Sequence, residues 1–324
     1  MNTPSDKPVF EKERYRKIVL FTGYACSNNC RFCMNADKRG YEPRGTEELL
    51  REIYLAKKEG ADILEMIGGE SAMRRDFRLL LKTAKKIGIA ETIIATNGRV
   101  FADIDYAREL LSCGLDSIIF SLHGANPETH DWLTQTPGSH ELLLRGIENV
   151  RRLGLRRIYG NTTVVRQNFR ELPDIARMYA EWGFTNVEFI FVDPTNGGAY
   201  NDFDILVPKI SECAPYMRQA LDIGDSAGFT QWKVRYVPLC HFRNHLSHIS
   251  EINEKRLYHS EHWAQDFYDG DSVANRADIS RTRPQKCSAC QLFSDCEGIW
   301  REYIRHYGDE ELRPVFQNEK HDFQ

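Results

Sequence analysis

The sequence predicts an α/β chain: a partial (β/α)6 TIM-like barrel followed by a small cysteine-rich C-terminal extension. Three observations predict it. Short β-branched runs alternate with longer amphipathic stretches, the pattern of parallel strands joined by helical crossovers. Polar, glycine-containing motifs follow directly after the strands, where barrels of this type place their chemistry. Seven of the nine cysteines fall into two groups, one near the front and one towards the end of the chain.

Residues 1–14 are polar and are expected to form an arm. Six strands follow: Ile18–Phe21, Ile63–Ile67, Thr92–Ala95, Ser117–Phe120, Tyr159–Val165 and Val187–Phe191. Amphipathic helices are expected over 46–59, 76–87, 103–113, 140–153 and 171–182. Several close on a basic residue followed by Gly, as at Lys58-Glu59-Gly60 and Arg152-Leu153-Gly154, which are helix-stop signals. The core barrel is placed at 15–205. A helical linker is placed at 206–239, with its helix over 206–226 interrupted by Pro215 and ended by Gly224. Residues 240–324 form the extension. Within it, 241–283 are polar and rich in His, Asn, Asp and Arg, without periodicity, and the run from Glu297 to Tyr303 reads as a capping helix.

Bulk properties exclude several classes. The 324 residues carry 28% charged and 41% hydrophobic side chains, as in soluble domains. A net charge of −4 gives no general attraction to nucleic acid or anionic membrane. No apolar run approaches the roughly 20 residues that span a bilayer. The first residues hold no apolar signal segment. Many unpaired thiols without an export signal place the chain in a reducing cytoplasm.

The front cysteines lie in Tyr24-Ala25-Cys26-Ser27-Asn28-Asn29-Cys30-Arg31-Phe32-Cys33, a C-x3-C-x2-C pattern. Three thiolates in one short loop can wrap an iron–sulfur cube from one side, leaving the fourth iron without a protein ligand. An open metal position binds substrate or cofactor. A zinc site is the bland alternative, but it needs a fourth ligand, and nothing near Cys33 supplies one. The odd number of cysteines suits a disulfide framework poorly. The pattern resembles the signature of the radical S-adenosylmethionine (radical SAM) superfamily. The resemblance implies a partial barrel and a 4Fe–4S cluster on Cys26, Cys30 and Cys33. It also implies that the open iron binds the amino and carboxylate groups of S-adenosylmethionine.

Further motifs fit that resemblance. Phe32 sits between two of the cysteines and is expected either to pack on adenine or to join the core. Gly68-Gly69-Glu70-Ser71 is similar to the family's G-G-E-P motif, in which the acid holds the methionine ammonium. Glycines also let backbone approach a ligand closely. Ser71 replaces the usual Pro and loosens the turn. Thr96-Asn97-Gly98 reads as a turn, and the resemblance implies that it shapes the pocket floor. Ser121 and His123 follow the fourth strand and suit ribose or carboxylate contacts, with His123 a candidate base or substrate contact. Asn161 matches a ribose-side asparagine, and Arg166 is a candidate carboxylate ligand. The family's basic carboxylate ligand falls where this chain has Gln135, a departure. Phe191 ends the sixth strand beside backbone groups expected to frame adenine.

Cys287-x2-Cys290-x5-Cys296, with Cys240 upstream, resembles the core of the SPASM and shorter twitch extensions. The resemblance implies an auxiliary 4Fe–4S cluster held by four thiolates, with a structural zinc knot as the alternative. Cys113 reads as a small buried residue. By analogy with epimerases of the superfamily, Cys213 or Cys113 is a candidate hydrogen-atom donor. The expected activity is reductive cleavage of S-adenosylmethionine, with hydrogen abstraction from a polar substrate lying near His123, Arg166, Asp193 and Asn196. That substrate is a peptide side chain, a sugar or another small metabolite. Oxidation, crosslinking or epimerisation is the expected outcome, served by an electron donor such as flavodoxin or ferredoxin. The competing class is a non-enzymatic zinc- or iron–sulfur-binding adaptor. The acidic balance argues against nucleic acid as a partner.

Overall fold

The computed structural model describes residues 14–316. Its main sheet has the order β7-β6-β5-β4-β3-β2-β1-β8-β9. The first six strands are β1 (Tyr15–Phe21), β2 (Ile63–Ile67), β3 (Glu91–Thr96), β4 (Ser117–Ser121), β5 (Ile158–Val164) and β6 (Val187–Phe191). The others are β7 (Lys233–Arg235), β8 (Tyr258–Trp263) and β9 (Tyr268–Asp269). Neighbours pair in parallel from β7 through to β8, and β9 returns antiparallel on β8. The sheet curls without closing.

The five crossover helices match the apolar periodicity closely. They are α1 (Thr46–Lys58), α2 (Phe77–Lys86), α3 (Ile104–Ser112), α5 (Ser139–Arg152) and α6 (Leu172–Glu181). Each buries one apolar face: α2 contributes Phe77, Leu80, Leu81 and Ala84, and α6 contributes Leu172, Ile175, Ala176 and Tyr179. The short helix α4 (Pro127–Thr134) escaped the periodicity. It is set by the Asn126 side chain, which accepts from the Thr129 N–H, and by Pro at its first position.

The inner face of the sheet is polar near its lower end, unlike the branched aliphatic filling of a closed barrel. Arg235 on β7 meets Glu188 on β6 at 2.8 Å and Glu254 at 2.9 Å. Lys17 on β1 meets Glu65 on β2 at 3.1 Å and Glu254 at 4.0 Å. Burial alone would push Lys17 down, and the two carboxylates outweigh it and hold the ammonium up. Glu254 lies on α10 (Ser250–Leu257), so this helix ties the β7 edge to β1 across the open side.

Three expectations about the second half are corrected. The polar stretch 241–283 contains β8, a full strand of the main sheet. It pairs with β1 from Tyr15↔Tyr258 to Leu20↔Trp263. Its polarity is satisfied in place: buried Glu261 accepts from Arg16 at 2.8 Å, Trp263 at 3.1 Å and Tyr268 at 3.0 Å. Pro215 does not interrupt its helix, and Gly224 does not end it. Helices α7 (Gly197–Asn201) and α8 (Phe203–Leu206) lead into α9, which runs from Ile210 to Ser226. Gly224 instead leaves room for the Trp232 ring, which a Cβ there would meet at 2.4 Å. The tail is strand before helix. After α11 (Ser272–Ser280), β10 (Arg281–Thr282) pairs antiparallel with β11 (Ile299–Trp300), and α12 covers Arg301–Tyr307. Among the described residues no helix is long and apolar enough to cross a membrane.

Replacing Arg235 by Met removes the guanidinium that pairs with both Glu188 and Glu254. We expect a loss of about 3–5 kcal/mol in urea unfolding, and the double variant Arg235→Met/Glu188→Leu loses less than the sum of its parts. A single-variant loss under about 1 kcal/mol would show that water, not Arg235, compensates those charges.

Candidate functional site

The front cysteine loop leaves the C-terminal end of β1 and runs beside β2's own exit. Thr22 N–H donates to Ile67 O (2.9 Å), Gly69 N–H to Gly23 O (2.8 Å) and Glu70 N–H to Ala25 O (2.7 Å). This contact explains Gly68-Gly69. A Cβ on Gly68 would sit 2.2 Å from Gly23 O, and one on Gly69 2.0 Å from Ala25 O. The close approach that requires glycine is therefore to the chain's own backbone. Ser71 does not leave the turn loose: its hydroxyl lies 2.8 Å from that of Thr22 and 3.2 Å from Ile67 O.

Cys26, Cys30 and Cys33 are free and half-buried. Burial pushes the Cys30 thiol up, and charge on Cys33 and Cys26 pushes it further, which places the three sulfurs within each other's field. Burial also raises Cys26, against donation from the Asn28 N–H at 3.4 Å. Thiols of this kind lose their protons when a metal replaces them. The donor set, three sulfurs on one loop, fits a cluster with one open iron.

The other motifs converge beside this loop. Thr96 at the end of β3 donates to Glu70 Oε1, and the Asn97 N–H donates to Glu70 Oε2, both at 2.8 Å. The Asn97 side-chain amide reaches Ser27 Oγ at 2.9 Å and Cys26 Sγ at 3.6 Å. Glu70 is buried, and burial lifts its carboxyl to about 7 against those hydrogen bonds. Residues from three strand ends thus form one chain of contacts from carboxylate to sulfur.

The later strand ends divide. His123 is buried with its ring 4.7 Å from that of Phe32, edge to face. Its Nδ1 accepts from the Thr163 N–H at 3.2 Å, and burial pushes it down to about 3. With Nδ1 occupied, the neutral ring carries its proton on Nε2, so His123 is a donor at neutral pH and not the base anticipated. Ser121 and Asn161 are paired in register across β4 and β5. Arg166 is spent elsewhere: its guanidinium donates to Val207 O (3.0 Å) and the Tyr307 hydroxyl (2.6 Å), tying α12 down. The Phe191 side chain is fully buried and meets Tyr303 at 6.0 Å between centroids, so it is core and not a cofactor contact. Asp193 follows it, with Oδ1 taking the Thr195 N–H (2.9 Å) and hydroxyl (2.6 Å).

Sequence reasoning missed several supports. Arg39 donates to Asn28 O at 2.9 Å, and Arg99 to Ser27 O at 2.5 Å and Asn28 Oδ1 at 3.1 Å. The last carbonyls of α4, on Leu133 and Thr134, accept from Arg31 N–H (2.8 Å) and Asn29 N–H (2.9 Å). Backbone carbonyls leave no sequence signal. Arg99 lies directly after Thr96-Asn97-Gly98, which was a usable clue.

A second site lies beyond β7. Cys240, Cys287, Cys290 and Cys296 line one apolar pocket with Pro238, Leu292, Phe293 and Leu312. Backbone N–H groups point at the sulfurs: Gly298 to Cys296 at 3.3 Å, Leu239 to Cys296 at 3.5 Å and Val315 to Cys290 at 3.2 Å. A backbone donor on Arg313 serves Cys240. Such donors stabilise thiolates. The remaining two cysteines go elsewhere. Cys113 is buried at the end of α3. Cys213 is fully buried on α9, its thiol directed back to Ile210 O at 3.8 Å, with Tyr303 and Glu311 nearby. None of these partners lies at a strand end of the front site.

Comparisons with known proteins agree with this geometry. The Radical SAM superfamily profile matches residues 20–179. A GTP 3',8-cyclase of Peptoclostridium acidaminophilum is 31% identical over 202 residues, which are 56% of this chain and 61% of that protein. An AdoMet-dependent heme synthase of Methanosarcina barkeri is 30% identical over 180 residues, 55% of this chain and 50% of the relative. The matched stretch thus spans half to three-fifths of these relatives. Among solved structures, Streptococcus suis SuiB bound to S-adenosylmethionine superposes with TM-score 0.65 at 15% identity, over 95% of this chain and 77% of that one. The enzyme anSMEcpe with bound AdoMet and a Kp18Cys peptide gives TM-score 0.63 at 15% identity, over 93% and 91%. These two likenesses establish the fold.

If Cys213 only packs, Cys213→Ala costs about 1 kcal/mol of stability and leaves turnover unchanged. Loss of product, with S-adenosylmethionine cleavage retained, would restore it as a hydrogen donor.

Proposed function

We propose that this chain, which belongs to the radical SAM superfamily, reductively cleaves S-adenosylmethionine at Cys26, Cys30 and Cys33 and takes a hydrogen atom from a polar substrate at the barrel mouth. When bound, the cluster and S-adenosylmethionine supply the electron and the 5′-deoxyadenosyl radical. The chain supplies placement and exclusion of side reactions. The observation that carries the reading is the continuous contact from Glu70 through Asn97 to Cys26, which sets an ammonium acceptor beside the three thiols. Phe32, between Cys30 and Cys33, packs edge to face on His123, whose Nε2–H is proposed to meet an acceptor on the ligand.

For the second site the reading is an auxiliary 4Fe–4S cluster. Four thiols and their backbone donors leave no iron open, which favours an electron relay over direct substrate ligation. A structural zinc on the same four thiols is the alternative, and the metal content decides between them. Oxidation or crosslinking is favoured over epimerisation, because neither Cys113 nor Cys213 lies among the strand-end groups. The relatives named above include enzymes acting on a nucleotide and making heme, and the structural neighbours were solved with peptides. The substrate proposed here is a peptide side chain or a small polar metabolite, with a flavodoxin- or ferredoxin-type donor supplying electrons.

The test is made anaerobically on the reconstituted chain. With a strong reductant the wild type forms 5′-deoxyadenosine, and Cys30→Ala does not. Cys296→Ala still forms it while losing about half of the iron. Equal 5′-deoxyadenosine from Cys30→Ala would end the reading, and zinc in place of iron at either site would end it for that site.

Glu70 gives a pH signature. Its carboxyl sits at about 7, and only its ionised form pairs with an ammonium or coordinated amine. Below pH 7 the wild-type affinity for S-adenosylmethionine falls with acid more steeply than that of Glu70→Gln, by about tenfold per pH unit. Parallel slopes in equilibrium dialysis would remove Glu70 from the cofactor site.

A further inference from the structure

We propose that Gly197 and Gly198 are positioning residues for the front cluster: they form the seat on which the exit of the cysteine loop, and with it Cys33, is set. The inference rests on the reading that Cys26, Cys30 and Cys33 hold a cluster.

The pair follows β6 and opens the five-residue helix α7. The Gly198 N–H donates to Cys33 O at 2.9 Å. A Cβ on Gly198 would stand 1.8 Å from Arg31 O, and one on Gly197 would stand 2.4 Å from Cys33 O and 2.7 Å from Met34 O. Carbon and oxygen rest at about 3.5 Å when unbonded, so any side chain here must displace backbone. Gly197 also has φ +63°, which L side chains adopt at a cost.

The loop is also held on two other sides. On the side of α4, the Arg31 N–H is held by Leu133 O at 2.8 Å and the Asn29 N–H by Thr134 O at 2.9 Å. On the side of β2, Gly68-Gly69 lies against residues 23–25. The cysteine loop is therefore gripped at entry by the glycine pair that follows β2 and at exit by the pair that follows β6. The Gly198 N–H is already spent on Cys33 O, so the pair serves the loop and is not a cradle for an anion. Displacing Arg31 and Cys33 by an ångström moves one of three sulfurs against the other two, and a cluster with only three protein ligands has none to spare.

The experiment compares Gly198→Ala and Gly197→Asn with Gly40→Ala. Asn tolerates positive φ, so Gly197→Asn isolates the clash from the backbone preference. Gly40 lies in the same loop with nothing within 4 Å of its Cβ position. After anaerobic reconstitution, the readout is the reduced-cluster electron paramagnetic resonance signal that shifts on adding S-adenosylmethionine. We expect that signal to fall at least about tenfold in Gly198→Ala and Gly197→Asn. The second cluster's signal stays, and Gly40→Ala matches wild type. A full S-adenosylmethionine-sensitive signal in Gly198→Ala overturns the proposal. No such signal in the wild type overturns the functional reading instead. Amide exchange on the unmutated chain removes dependence on the variants' folding. Loading the cluster should slow exchange in the peptide containing Gly198 by about tenfold, and equal exchange in loaded and stripped protein also overturns the proposal.

Discussion

A loop without helix or strand carries the three thiols, and its backbone polar groups must find partners from outside it. The rest of the front half is arranged to provide them. Arg44 and Arg74 donate to Phe21 O and Thr22 O, at 2.8 and 2.9 Å, while Arg99 and Arg39 take Ser27 O and Asn28 O. The last carbonyls of α4 accept the loop's own N–H groups. Four guanidiniums thus converge on the carbonyls of a segment meant to carry thiolate charge. The Arg39 charge lowers the cost of ionising both Cys26 and Cys30, so the same side chains hold the loop's shape and prepare its chemistry. A cluster binds with three protein ligands only if the loop is already close to its bound shape, because ordering it at the moment of binding would cost about 1–2 kcal/mol per residue.

The C-terminal third joins in the same task. Asp266, in the turn between β8 and β9, accepts from the Tyr24 hydroxyl and pairs with Lys38 at 2.7 Å. Tyr24 precedes the cysteines and Lys38 follows them, so one carboxylate links both flanks of the loop. Phe267 packs on Phe21 at 5.2 Å beneath this link. This reach is possible because β8 extends the main sheet beside β1. An open sheet can add a strand at its free edge, which a closed barrel cannot, and the added strand brings its following turn to the β1 exit where the cysteines begin.

Local pattern made the first six strands and five crossover helices readable in the sequence. In each, the apolar residues facing the helices recur with the right period, and the stops are marked by glycine. The same logic failed for β8, since Tyr258-His259-Ser260-Glu261-His262-Trp263 alternates between two polar faces whose partners come from distant strands. Pro215 looked disruptive, but α9 continues through it from Ile210 to Ser226. At the site, the residue types were legible and their roles less so. Glu70 lies against the cysteine loop through Asn97 and Ala25, and Phe32 packs beside His123. Arg166 was read as a ligand because it follows a strand, yet Val207 and Tyr307 claim it. Gly68-Gly69 was read as room for a ligand, when it is room for residues 23–25. Gly197-Gly198, which does the same for the loop's exit, carried no signal beyond being two glycines.

The two cysteine sites also share a frame, and this bears on how they work together. Cys240 follows β7 after a short connection, so the second pocket begins at an edge of the same sheet whose centre holds the first. Arg281 fastens the remaining cysteines to that edge. It is buried, pairs with Glu251 on α10 at 3.2 Å, donates to Gly298 O at 2.5 Å, and lies over the Trp300 ring at 5.2 Å. Gly298 in turn donates to Cys296 Sγ. A buried guanidinium with a carboxylate partner is costly to desolvate and costly to disrupt, so it specifies one arrangement more than it adds stability. The Cys26, Cys30 and Cys33 loop is fixed in the same manner, by Arg39, Arg99 and the carbonyls at the end of α4, so both groups of thiols sit on irregular backbone whose polar groups are satisfied by side chains and carbonyls of other elements.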